Sequence, residues 1–250
     1  MIDTLIISGC GIKCIYYIGI YKSLLENKLI STKSIKNFIC CSSGSLFGLC
    51  IILNYSLNLL EKIILSLDYE KILDYDDVDD IFESNGFFTM EKFGDILSII
   101  IKKKFNKKNI TLKELHNETK LLYIVKVYNY SLKKEEFISY KTDPDISLIK
   151  LIKMSCCIPI IFKPISYNNY IYIDGGCNGS IPYIKDEKFK NYIIFNIKNN
   201  IINKNSKNET IMEYLKNLFY ISSSKIYYPK DHRFIEIICI KNIPLYEFSI

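Results

Sequence analysis

Phe38-Ile39-Cys40-Cys41-Ser42-Ser43-Gly44-Ser45 is the stretch whose reading decides the fold. A short apolar run ends in small residues, and a long apolar run, Leu46 to Leu67, follows at once. This pattern predicts a strand, a sharp turn and a helix, with Ser42 at the apex. A serine placed there is pushed out of the backbone, and its hydroxyl lies near the positive end of the following helix. Gly44 keeps one side of the crowded turn small. Cys40 stands where a Gly-x-Ser-x-Gly elbow carries its first glycine. A serine beside a glycine after an apolar run is equally the signature of an ordinary helix N-cap, so other parts of the chain must decide.

Working outward, Thr4 to Ser8 reads as a short apolar strand, followed by the turn Gly9-Cys10-Gly11-Ile12-Lys13-Cys14. Ile15 to Leu29 reads as a helix with Ile18, Tyr21, Leu24 and Leu25 on one face. Strand, glycine turn and helix make a common anion cradle, because backbone N–H groups converge at the helix start. A dinucleotide fingerprint would need a glycine at Cys14 and an acidic residue closing the next strand, and neither is present. A phosphate-binding loop would need Gly-Lys-Ser/Thr, which is missing. The third reading is an oxyanion hole.

Downstream, Asn37 to Cys41 is the second strand. Met90 to Lys104 reads as a helix, and Thr111 caps another through Thr119. Leu121 to Tyr130 and Glu136 to Tyr140 read as a hairpin. Asp145 to Met154 is a predicted helix that runs into Ser155-Cys156-Cys157-Ile158-Pro159. Ile165 to Ile173 reads as one strand ending at Asp174-Gly175-Gly176. Tyr192 to Ile197 and Phe234 to Ile240 are further strands, Asn199 to Asn208 a polar loop and Glu209 to Tyr220 a helix. No repeat or linker interrupts the pattern, so residues 1–250 read as one α/β domain of alternating strands and helices.

Composition narrows the function. The chain is 49% hydrophobic, which excludes general disorder. It has no alanine and a single arginine, Arg233, so positions that usually hold Ala or Gly carry Ser or Cys here. The net charge of +6 is spread along the chain apart from a run at Lys102 to Lys108, which reads as a solvated helix end or a weak attraction to anionic lipid. Without arginine clusters, nucleic acid is not expected as a partner. Nine cysteines without a signal peptide predict a reduced, intracellular, cytoplasmic setting. Their spacing is not a zinc signature, and no metal or other cofactor is expected. Asp76-Asp77-Val78-Asp79-Asp80 lacks the glycine and terminal Glu of a calcium loop. Asn54, Asn58 and Glu61 interrupt the run from Leu46 to Leu67, which reads as a buried or amphipathic helix rather than a membrane span.

Three glycine-bearing stretches thus follow apolar strands: Gly9 to Cys14, Cys40 to Ser45, and Asp174 to Gly176. In an open α/β sheet, functional groups gather at the carboxyl ends of strands. One stretch supplies N–H donors, one a hydroxyl and one a carboxylate, which together make a serine hydrolase site.

With these residues in view, the chain resembles the patatin-like phospholipases from about Thr4 to Ile240. The family's Gly-Gly-Gly-x-Lys/Arg-Gly turn is Gly9 to Cys14 here, and its elbow is Cys40-Cys41-Ser42-Ser43-Gly44. Its Asp-Gly-Gly/Ala is Asp174-Gly175-Gly176, followed by Pro182. An Ala-Ser-x-Ala-x-Pro-x-x-Phe-x-Pro block is matched by Met154 to Pro164, a stretch read as non-catalytic. The resemblance implies a three-layer α/β domain with a mostly parallel central sheet flanked by helices. It implies a Ser–Asp dyad, with Ser42 as nucleophile, Asp174 as base and the backbone around Gly9, Cys10 and Gly11 as oxyanion hole. It implies phospholipid or other acyl-lipid substrates, phospholipase A-type ester cleavage and peripheral contact with a membrane. The chain ends soon after its last strand, so a terminal helix common in relatives is expected to be missing.

Cys10, Cys14 and Cys40 each replace a glycine. Wherever the backbone needs φ > 0, such a change strains the turn, and a Cys40 side chain crowds the elbow. A catalytically weakened lipid-binding or interaction protein is therefore the alternative function. A Ser42–Asp174–His232 triad in α/β-hydrolase order is the rival catalytic arrangement, although only one predicted strand precedes the elbow strand.

Overall fold

Apolar residues at successive positions of Thr4–Ile7 and Asn37–Cys41 require burial on both faces, the mark of central parallel strands. The computed structural model describes residues 2–66 and 85–199, and the backbone of two further strands, 74–75 and 234–239. In chain order the strands are β1 Thr4–Ile7, β2 Asn37–Cys41, β3 Asp74–Tyr75, β4 Gly86–Thr89, β5 Leu122–Asn129, β6 Lys134–Ser139, β7 Ile160–Phe162, β8 Ile165–Tyr167, β9 Tyr170–Ile173, β10 Tyr192–Asn199 and β11 Phe234–Cys239. The helices are α1 Ile15–Glu26, α2 Ser43–Ile52, α3 Leu57–Ser66, α4 Glu91–Phe105, α5 Leu112–Thr119 and α6 Leu148–Cys156.

The main sheet runs β11-β10-β1-β2-β5-β9-β8, with β6 also on β5. The pairs among β11, β10, β1, β2 and β5 are parallel; β6, β8 and β9 join antiparallel. The alternation of side chains across each strand sorts the core. Leu5, Ile7, Phe38, Cys40, Tyr123, Val125 and Val127 face a large core that includes residues of α1, α2, α4, α5 and α6. Ile6, Ile39, Ile124 and Ile194 face a smaller one, covered by Ile181, Tyr183, Ile184 and Phe189. A separate small sheet, β3-β4-β7, lies off the main one.

The register on β5 positions the site. β2 pairs along one edge of β5 as far as Cys41 opposite Lys126. β6 occupies the other edge, from Ile124 to Asn129. β9 pairs with Tyr128 and Asn129, so it must share the edge that β2 has just left, running the opposite way. The carboxyl ends of β2 and β9 therefore meet head to head beside Val127, and the next residues are Ser42 and Asp174.

The structure departs from the sequence reading at several elements. The run from Leu46, described as far as Ser66, holds two helices, because Asn54 adopts φ 55° and ends α2. Its N–H bonds Ile51 O, and the N–H of Tyr55 bonds Cys50 O, the pattern of a Schellman cap. Ser56 then caps α3 through Leu59 N. The run from Ile165 to Ile173 is a hairpin, since Asn168 and Asn169 both take positive φ, as a two-residue hairpin turn requires. The helix expected from Asp145 starts only at Leu148, with the Ser147 hydroxyl accepting from Lys150 N. Strands β4 and β7 were not expected. The predicted cap at Thr111 is formed, and Glu114 completes it as a capping box. Lys102, Lys103 and Lys104 end α4, where positive charge favours the helix dipole. The acidic loop at 76–80, the polar stretch 200–208, the helix at 209–220 and His232 lie outside the described residues.

Candidate active site

The elbow is built by the sequence around it. β2 ends at Cys41 and α2 begins at Ser43, leaving Ser42 as the single connecting residue, at φ 49° and ψ −132°. A non-glycine residue there carries backbone strain, which here turns the hydroxyl outward. Gly44 is forced by packing, since a Cβ would lie 2.6 Å from Ile7 O and 2.5 Å from Ser8 O. A Cβ at Gly9 would meet Ser42 Cβ at 2.8 Å, so the first turn lies against the serine.

Ser42 Oγ donates to Asp174 Oδ2 at 2.6 Å, and both residues are buried. Asp174 is fixed on all sides. Its N–H donates to Cys157 O at 2.7 Å, and Oδ1 accepts from Gly176 N at 2.6 Å. Gly175 lets the turn pass over β5, because a Cβ would lie 2.2 Å from Lys126 O. Burial pushes the Asp174 carboxyl up to about 6. The Ser42 hydroxyl, the Gly176 N–H and the Lys126 ammonium all oppose that rise. The surrounding thiols of Cys41, Cys156, Cys157 and Cys177 are pushed up by burial and by the Asp174 charge. They stay protonated and do not compete with the serine as nucleophiles.

The glycine turn is only partly available as a donor set. Gly9 N donates to Ser180 O, and Cys10 N to Ser43 Oγ, both at 3.1 Å. Gly11 and Ile12 open the 3₁₀ turn Gly11–Cys14, so their N–H groups have no acceptor within it. Lys13 N returns to Cys10 O within the turn, and Lys13 and Cys14 are buried. Gly11 has φ 58° and needs its glycine. The replaced glycines are not strained: Cys10 has φ −152° and Cys14 φ −56°. Cys40 lies in regular strand, and its Sγ fills the space over Gly48, where a Cβ would meet it at 2.6 Å. The elbow closes around Cys40 because α2 supplies a glycine opposite it.

Two residues near the pair were not singled out from sequence. Ser155 accepts from Ser42 N at 2.8 Å and donates to Lys126 O at 2.7 Å, tying the elbow to β5. It lies in the block read as non-catalytic. Lys126 is a buried charge flanked by apolar Ile124, Val125 and Val127, which was its available signal. His116, the one histidine among the described residues, bonds Leu121 O and stacks on Tyr140.

Comparison with known proteins identifies the family and its relatives. A family model described as patatin-like phospholipase matches residues 5–185. The chain is 33% identical over 184 residues to "Probable lipid hydrolase 463L" of Invertebrate iridescent virus 6, covering 72% of this chain and 61% of that protein. It is 25% identical over 177 residues to "Uncharacterized protein R571" of Acanthamoeba polyphaga mimivirus, covering 70% of this chain and 58% of that one. The chain thus spans about three-fifths of the length of these relatives. Among solved structures, VipD from Legionella pneumophila shares the fold with a TM-score of 0.67 at 16% identity, over 95% of this chain and 61% of VipD. No helix among the described residues is long and apolar enough to cross a membrane. The match from the first strand through the Asp-Gly-Gly turn and beyond places the chain in the patatin-like phospholipase family.

Proposed function

We propose that the protein is a lipid acyl hydrolase of the phospholipase A type, working through a Ser42–Asp174 dyad. The observation that carries this reading is the 2.6 Å hydrogen bond from Ser42 Oγ to Asp174 Oδ2, made by a serine on a strained elbow. Asp174 takes the hydroxyl proton as Oγ attacks the ester carbonyl, and the tetrahedral oxyanion turns to the N–H groups of Gly11 and Ile12. The alcohol leaves with the proton from Asp174, and the acyl group stays on Ser42. Asp174 then deprotonates a water, which releases the fatty acid. An aspartate pushed up to about 6 suits this work, being a carboxylate at neutral pH yet basic enough to take a proton.

The lipid substrate and a peripheral membrane contact belong to the same reading. Four exposed apolar side chains, Tyr130, Leu132, Tyr170 and Ile171, gather where β5 leaves the site and β9 starts toward it. Tyr130 N bonds Ile171 O, and Ile171 N bonds Ser131 Oγ, so the two turns form one rim. Asp174 is three residues from Ile171 along the chain, about 10 Å in extended conformation. Tyrosines with polar tips, beside the exposed Lys133, suit the boundary between headgroups and acyl chains.

The test is ester cleavage and fluorophosphonate labelling of wild type, Ser42→Ala and Asp174→Asn. Both variants should fold and lose turnover on the order of 10⁴-fold, and label should map to Ser42. Full turnover in either variant overturns the dyad.

A further inference from the structure

Lys126 is a buried charge beside the site that neither the dyad nor the donor turn uses. It lies on β5 opposite Cys41, in a strand whose neighbours Ile124, Val125 and Val127 are buried and apolar. Its side chain is only 3% exposed. A buried ammonium is costly unless each of its three donors is met. Here all three have acceptors: Glu135 Oε2 at 2.7 Å, Gly179 O at 2.9 Å and Asn178 O at 3.3 Å. A methionine of similar reach would satisfy the sheet without this demand.

The acceptors show what the charge holds. Asn178 and Gly179 close the 3₁₀ turn that Asp174 opens, and Gly179 has φ 98°. The next residue, Ser180, takes the N–H of Gly9. On its backbone side, the Lys126 carbonyl accepts from Ser155 Oγ, which in turn accepts from Ser42 N. Gly175 lies on that same carbonyl. One residue therefore touches the far end of the aspartate turn with its side chain and, through Ser155, the serine elbow with its main chain.

We propose that Lys126 is a positioning residue for the Ser42–Asp174 pair, clamping the aspartate turn with its ammonium and favouring the charged carboxylate that the reaction needs. The proposal rests on the dyad reading above. The groups that face Asp174 are Lys126 from β5, Cys41 from β2, Cys156 and Cys157 from the end of α6, and Cys177 from its own turn. The four thiols remain neutral through the working range, pushed up by burial. Lys126 is the charged member of that set, and Glu135 behind it offsets part of its effect.

The experiment compares the wild type with Lys126→Met, Lys126→Arg and Glu135→Gln. It reads kcat and KM on a fatty-acyl p-nitrophenyl ester across pH, and the Asp174 titration by NMR with ¹³C-labelled aspartate. Lys126→Met should lower kcat about tenfold or more with KM little changed, and should raise the midpoint of the acidic limb. Lys126→Arg should recover part of both. Glu135→Gln, at a half-exposed position, should move the midpoint the opposite way, a signed response that a merely structural role would not give. A Lys126→Met enzyme with wild-type kcat and midpoint overturns the proposal. Should that variant fail to fold, an unmoved midpoint in Glu135→Gln overturns it instead. Should the wild type prove inactive, the dyad reading falls, while the NMR titration still decides whether Lys126 and Glu135 act on Asp174.

Discussion

Ser42 and Asp174 share one hydrogen bond, yet opposite demands act on the two. In the proposed dyad the serine needs a base beside it, while burial makes a carboxylate unfavourable there. Two pH effects follow. Ester turnover should rise with pH through about 6, as Asp174 loses its proton, and a pH–rate profile of kcat/KM reads this limb directly. Stability should move the other way. A folded-state value raised from 3.8 to about 6 means that the native protein holds the proton more tightly than the unfolded chain. That contribution is fully present below about 4 and is lost as pH rises through about 6. Asp174→Asn, which cannot ionise, should therefore be more stable than wild type at pH 7.5, by up to roughly 3 kcal/mol. The gap should close as pH falls to about 4. Urea melts at the two pH values check this, and a wild type more stable than the variant at pH 7.5 would refute it.

At the scale of elements, α2 and β2 fit through one exchange of volume. Cys40 stands where the family carries glycine, and Gly48 stands across from its sulfur. Gly48→Ala should destabilise by about 1–3 kcal/mol, since the new Cβ meets Cys40 Sγ. Cys40→Ala should restore most of that loss in the double variant, where helix propensity also favours alanine. A double-mutant cycle by denaturant melts measures the coupling, and additive effects would refute it. The same scale explains what was legible in the sequence. Thr4–Ile7 and Asn37–Cys41 are unbroken apolar runs with small residues after them, so both strands and the serine turn were readable. Ile165 to Ile173 concealed a hairpin, because its turn, Asn168-Asn169, interrupts a run with no glycine or proline to mark it. Ser42 and Asp174 were readable because strand ends are where such groups collect. Ser155 was not, because its contacts are with the Ser42 N–H and the Lys126 carbonyl, and backbone groups leave no residue-type signature. Nor could sequence spacing reveal that Gly9 and Cys10 spend their N–H groups inside the protein.

For the whole molecule, the exposed Tyr130, Leu132, Tyr170 and Ile171 lie beyond the Ser42–Asp174 pair, and the proposed function makes them its membrane contact. Replacing Tyr130 and Ile171 together with serine should weaken binding to anionic phospholipid vesicles about tenfold or more, each apolar side chain withdrawing on the order of 1 kcal/mol. Turnover of a soluble short-chain ester should be unchanged. Co-sedimentation beside a soluble-ester assay separates the two, and unchanged vesicle binding would remove the rim from the docking surface.

The head-to-head meeting of β2 and β9 on β5 also bears on when the protein becomes capable of reaction. Ser42 and Asp174 are 132 residues apart in the chain, and the strand that aligns them lies between. During synthesis the serine emerges early, on an elbow whose base has not yet been translated. Until Asp174 has been translated and β9 has docked, the nascent chain holds Ser42 without its hydrogen-bond acceptor. The register of one strand thus ties the pairing of Ser42 with Asp174 to the docking of β9, and on the proposed function no ester cleavage precedes that docking.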